Sequence, residues 1–190
     1  MVQTLINENR NNKRKVCIWI VMVVGFLLSL YWVEASSWGS MAVARYNNGY
    51  GTFDMKDYDF ETVKETLENT NTVGFVAYYK YYVADFVFLV FFGFLQCRIS
   101  HTVYKKIHIY QNKAVKTVVL GIPILRGIFD IAENSLLLIT IAVFPKMNAG
   151  MVSAASFSTQ CKLWCIRIWL CSLGAAVVCR ILQFFFKKSS

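Results

Sequence analysis

The sequence predicts an all-α integral membrane protein, a four-helix bundle with a short amphipathic helix in its first outer loop. Three observations carry this expectation. Of 190 residues, 56% are hydrophobic and only 16% charged, too little polar surface to coat a soluble domain of this size, and the mean hydropathy is +0.44. The apolar residues gather into four long runs. The Lys and Arg residues sit at the ends of those runs and on alternate connections. The net charge of +9 therefore reads as cytosolic flanks of membrane spans and not as a phosphate-tracking groove, so nucleic acid is not an expected partner.

A basic tail, 1–15, holds Arg10, Lys13, Arg14 and Lys15. The first span follows at 16–33, about 27 Å of helix, which matches a bilayer's hydrocarbon thickness. Trp19, Tyr31 and Trp32 stand near its ends as interfacial aromatics do. A cleaved signal peptide ending near Val33-Glu34-Ala35 is the rival reading, although the apolar run is long for one.

Residues 36–73 form an acidic non-cytosolic loop containing Asp54, Asp57, Asp59, Glu61, Glu65 and Glu68. Gly49-Tyr50-Gly51 marks a turn. Phe60, Val63 and Leu67 recur at helical steps after Asp59, so a short amphipathic helix capped by Asp59 is expected on the membrane surface or on the bundle. The acids lack the glycine and spacing of an EF-hand and read as a solvated face.

The second span covers 74–97, opening with Tyr78, Tyr79, Tyr81 and Tyr82 around Lys80 and holding Asp85 near its centre. A basic connection carries Arg98, Lys105, Lys106, Lys113 and Lys116. The third span covers 117–144 and contains Pro123, expected to kink it. A short link leads to the fourth span, 152–186, which is long enough to tilt or protrude. The tail 187–190 closes the chain. The three most basic segments fall on one side only if the spans are even in number, which puts both termini in the cytosol.

The chemistry is expected where the apolar rule is broken. A charge at the bilayer centre costs about 2.5–3.5 kcal/mol on insertion scales, so it faces the bundle interior and has a partner. Arg126, Asp130, Glu133 and Asn134 share one face of the third span. Asp85 joins them from the second span, and Lys162 and Arg167 from the fourth. Three acids against three bases would make a neutral cluster, with Asn134 and Gln160 meeting leftover hydrogen-bond demand. A local Lys80–Asp85 pair is not expected, because Lys80 snorkels outward.

Catalytic signatures are thin, and an enzyme is the less favoured reading. His101 and His108 lie seven apart in the basic connection, which is no zinc motif. No nucleophile elbow or glycine-rich phosphate loop occurs. Ser158 and Lys162 share helical spacing without supporting motifs. No metal or cofactor is expected. The six cysteines all lie in or beside apolar runs, so no structural disulfide is expected in the outer loop.

The four-span plan is similar to those of claudins, tetraspanins and sterol-isomerase-like domains, and departs from each. Trp38-Gly39-Ser40 lacks the claudin tryptophan pair and loop cysteines, and the six-residue second outer loop has no tetraspanin Cys-Cys-Gly. Asp85, Asp130 and Glu133 resemble the sterol-isomerase acids in kind only. The terminus Lys187-Lys188-Ser189-Ser190 resembles a dilysine retrieval signal, which implies the endoplasmic reticulum.

Three functions follow as expectations. The first is binding or movement of a small solute, proton or lipid at the intramembrane cluster. The second is an accessory or scaffold subunit, partnered by other membrane subunits, whose charges are internal staples. The third is a lipid-modifying enzyme. A polar cavity at the charges favours the first, tight pairing without a cavity the second, and an apolar groove leading to the acids a lipid. Small residues at Ser172, Gly174, Ala175 and Ala176 would admit a close neighbouring helix.

Overall fold

The computed structural model describes residues 2–105, 107 and 112–188, without side chains for 2–9, 11, 12 and 184–188. Lys106, His108, Ser189 and Ser190 therefore lie outside what is described, as do the side chains of Lys187 and Lys188. The described residues form six helices and no strand: α1 (Val2–Ala35), α2 (Ser40–Ala44), α3 (Phe60–Glu68), α4 (Thr72–Tyr104), α5 (Lys113–Val143) and α6 (Ala149–Lys188).

Short polar side chains set several helix starts. Asp59 accepts from the Thr62 N–H at 2.8 Å and opens α3. Asn71 does the same for α4 through Gly74, and Asn112 for α5 through Ala114, each at 2.8 Å. The Asn148 carboxamide accepts from Gly150 N–H at the head of α6. Each cap satisfies an amide that has no partner inside the helix.

Three stretches, Lys13–Ala44, Thr72–Tyr104 and Ala149–Gln183, each contain a helix long and apolar enough to cross a membrane. The remaining long helix, α5, has the length. Its middle carries Arg126, Asp130 and Glu133, and these keep it from the same standard. Pro123 lies inside α5, which continues through it.

The helices pack in chain order: α1 against α4, α4 against α5, and α5 most extensively against α6. Gly25 makes the first contact possible, because a Cβ there would stand 2.3 Å from the Phe91 ring. Phe26 adds ring contacts with Phe88 and Phe92 at 5.8 and 5.6 Å. The outward face of α1 stays bare, with Val16, Ile20, Val21, Leu27 and Leu28 more than half exposed. Lipid is the solvent that suits such a surface.

The 36–73 loop departs from the expected solvated acidic face. Its middle folds down into the bundle. Phe53 is fully buried, stacked on Tyr78 at 5.8 Å and packed against Tyr50 and Tyr58. Asn47 clamps the turn: it accepts from Gly51 N–H (2.9 Å) and donates to Gly51 C=O (2.6 Å) and to the Tyr78 hydroxyl (2.8 Å). Asn48, Gly49, Gly51 and Met55 take positive φ, so the chain reverses on either side of Phe53. The α3 helix then lays Val63 and Leu67, both fully buried, onto the same core.

Candidate functional site

Where α4, α5, α6 and the infolded loop meet, six charged groups come together. On α5, Arg126 and Asp130 are one turn apart and form an ion pair. Glu133 and Asn134 follow on the same face. Asp85 and Lys162 reach the cluster from α4 and α6, each about 20 Å past the outer end of its helix. Asp85, Arg126, Asp130, Glu133, Asn134 and Lys162 are all at most 3% exposed.

Lys162 is the hub. Its ammonium pairs with Asp54 from the loop, with Asp130 at 3.1 Å and with Glu133 at 2.5 Å. Oxygens of these three carboxylates all lie within 4.8 Å of one another, so they form a three-sided cage around one cation. Asn134 donates to Asp85 at 2.5 Å. On the inner side, Arg126 donates to Gln96 at 3.3 Å and lies 4.5 Å from the Phe92 ring centroid. Further in, Trp169 on α6 donates to Ser100 on α4 at 2.8 Å and closes that end with apolar bulk.

Three parts of the predicted site are corrected. Arg167 does not join the cluster. It is exposed, with its guanidinium 5.1 Å from the Trp164 ring, because its position on α6 faces away from α5. Neutrality fails with it. The fourth acid, Asp54, enters from the loop, so Asp54, Asp85, Asp130 and Glu133 face only Arg126 and Lys162. Gln160 does not serve the cluster either and lies 3.5 Å from Asp57. Ser158 donates to the Ala154 carbonyl and is not paired with Lys162. As expected from its outward aim, Lys80 leaves Asp85 alone and lies 5.8 Å from the Trp38 ring.

Several polar atoms within this buried layer lack hydrogen-bond partners: Glu133 Oε1, Asn134 Oδ1 and the Tyr82 hydroxyl on the outer side, Gln96 Nε2 and Arg126 Nε on the inner side. The Thr159 hydroxyl is a near neighbour of Glu133, but it is engaged with the Ala155 carbonyl and with Tyr58 at 3.0 Å. Burial, reinforced by the charge of Glu133, raises the Tyr58 phenol above the usual tyrosine range, so it stays a neutral hydrogen-bonding group.

A pocket of about 300 Å³ opens on the loop face, with Asp54 and Tyr81 among its lining residues. The Asp54 side chain is 22% exposed, while that of Lys162 beneath it is 3% exposed. Asp54 is thus the boundary between the pocket and the cage. A separate apolar groove between α1 and α4, lined by Leu28, Trp32 and Phe91, has no acid in its lining.

Asp54, Gln96 and Tyr82 are the participants that sequence reasoning missed. Gln96 carried a signal, an uncharged amide inside an apolar run. Asp54 carried a weaker one, a single acid beside a large aromatic and a glycine turn. All six cysteines are free.

The fold and the site define a class: a chain whose described residues form helices and no strand, three of those helices fit to cross a membrane, with a buried acid–base cluster beneath a pocket on the loop face. No protein-family model, curated protein or solved structure matches the chain.

Proposed function

We propose that this is a four-span membrane protein that binds, and by binding can move, a proton or small cationic solute at the Lys162-centred cluster. Both termini are cytosolic in this reading, from the Lys and Arg count, and α5 is the fourth span, its charges shielded by α4, α6 and the loop. Residence in the endoplasmic reticulum rests on the terminal lysine pair alone.

One observation carries the proposal. Four carboxylates are gathered around two cationic side chains. Three of the four carboxylates are buried and Asp54 is only 22% exposed, so two uncompensated negative charges are disfavoured, since an unpaired buried ion costs several kcal/mol. Protons or a bound cation balance them. The outer pocket supplies a route as far as Asp54.

The experiment is cation and proton flux into proteoliposomes under an imposed potential, with an internal pH dye. Wild type is expected to exceed empty vesicles, while Asp130→Asn and Glu133→Gln, assembled normally, do not. Flux in wild type equal to that of empty vesicles and of both variants removes the transport reading.

The scaffold reading keeps one specific support: the ion pairs at Lys162 lie within 4 Å, as internal staples would. The lipid-enzyme reading has less, because the apolar groove does not lead to the acids.

A further inference from the structure

We infer that the cation this site accepts is a small primary ammonium compound, R–NH₃⁺; the inference rests on the binding role proposed above and names its ligand class.

The site already displays its preference. The group held between Asp54, Asp130 and Glu133 is a primary ammonium, that of Lys162. Carboxylate oxygens lying within 4.8 Å of one another suit three N–H donors from one nitrogen, since N···O distances near ~2.8 Å set O···O separations of about that size.

The unmet demand points the same way. On the outer side the unpartnered atoms are acceptors or hydroxyls: Glu133 Oε1, Asn134 Oδ1 and the Tyr82 hydroxyl. Glu133 and Asn134 are fully buried, as is Tyr82, which faces the Glu133 charge. Glu133 Oε1 and Asn134 Oδ1 are acceptors that lack a donor, the Tyr82 hydroxyl can accept as well as donate, and an ammonium brings three N–H donors. A positive charge there also meets the surplus left after Arg126 and Lys162.

The surroundings favour an organic cation over a hard metal ion. Calcium takes six to eight oxygens in its shell and magnesium keeps several waters. Here the neighbours are aromatic: Tyr82 stacks with Tyr78 and packs edge-on to Tyr81, and Phe53 covers Tyr78. Ring faces attract alkylammonium ions at little desolvation cost. Lys162, fixed inside the cage, repels a divalent ion more strongly than a monovalent one. The pocket lined by Asp54 and Tyr81 leads to the Asp54–Lys162 bridge, and in this proposal the bridge must open for a ligand to reach Glu133 and Asn134.

The test is thermal unfolding of the purified full chain in detergent at constant ionic strength, titrated with ethylammonium, tetramethylammonium, potassium or calcium chloride. Ethylammonium is expected to raise the melting temperature saturably. Tetramethylammonium, which has no N–H donor, is expected not to. Glu133→Gln should abolish the effect. Lys162→Met, which removes a like charge, should tighten ethylammonium binding by about tenfold. If that variant does not fold, the wild-type preference for ethylammonium over tetramethylammonium decides. Stabilisation by calcium or potassium but not by ethylammonium, with the same Glu133 dependence, overturns the ligand class and leaves the binding role standing. Indifference of wild type to all four salts, together with absent flux, overturns both.

Discussion

Lys162 on α6 closes an ion pair with Asp54, a loop residue 108 positions earlier in the chain. This contact ties the infolded loop to the charged cluster and places the loop between the outer pocket and the buried acids. Its loss should be graded by which partner is removed. Asp54→Asn leaves Lys162 with Asp130 and Glu133 and is expected to cost about 1–2 kcal/mol, discounted for the partial exposure of Asp54. Lys162→Ala leaves buried carboxylates facing one another and is expected to cost about 3–5 kcal/mol. Denaturation in mixed micelles measures both, and equal losses would contradict a hub at Lys162.

Arg167→Ala separates the cluster that is observed from the cluster that composition suggested. Arg167 is exposed and rests on Trp164. Its removal should change stability by no more than about 0.5 kcal/mol and leave flux intact. A loss as large as that of Lys162→Ala would return Arg167 to the cluster.

The loop's descent depends on a small clamp. Asn47→Ala removes three hydrogen bonds around Gly51 and Tyr78 and should cost about 1–3 kcal/mol, the penalty for orphaned buried polar groups. Gly51 sits at φ +82°, so Gly51→Ala should add left-handed strain of about 1–2 kcal/mol. In both variants, protease cleavage between residues 45 and 59 should accelerate before the helical bundle melts. Cleavage at the wild-type rate would mean that the loop is held by something else.

Asp59 gives a pH dependence whose sign is fixed. The hydroxyl and amide of Thr62 both donate to its carboxylate, and these bonds, the hydroxyl first, hold its pKa below the ordinary value. The cap's contribution is therefore full above the unfolded-state pKa and is lost as pH falls through the folded one. The protection factors of α3 amides, referred to the intrinsic rate at each pH, should fall in acid, and Asp59→Ala should show the lowered protection already at neutral pH. Protection of α3 that is flat down to strongly acid pH would contradict the assignment.

The run lengths of apolar residues gave α1, α4 and α6, and the Asp59 cap with Val63 and Leu67 gave α3, because local spacing and capping determine them. The residues Asp85, Arg126, Asp130, Glu133, Asn134 and Lys162 were legible for a related reason: a charge inside an apolar run is conspicuous. Arg167 was equally conspicuous and misplaced, since single-helix spacing does not say which face of α6 meets α5. Asp54 was hidden among other acids of a polar loop. Only the tertiary contact of Phe53 with Tyr78 and of Asn47 with Gly51 draws it inward, and no local periodicity encodes that contact.

The central claim is that three buried carboxylates and the partly exposed Asp54 outnumber two cationic side chains, so that protons or a cation complete the site. Infrared difference spectroscopy of the full chain, recorded on adding ethylammonium at constant pH, reads this directly. Loss of a protonated-carboxyl band is expected in wild type, altered in Asp85→Asn and in Glu133→Gln, as the ammonium replaces bound protons. A spectrum with no carboxyl change in wild type, across both pH and added cation, would contradict it.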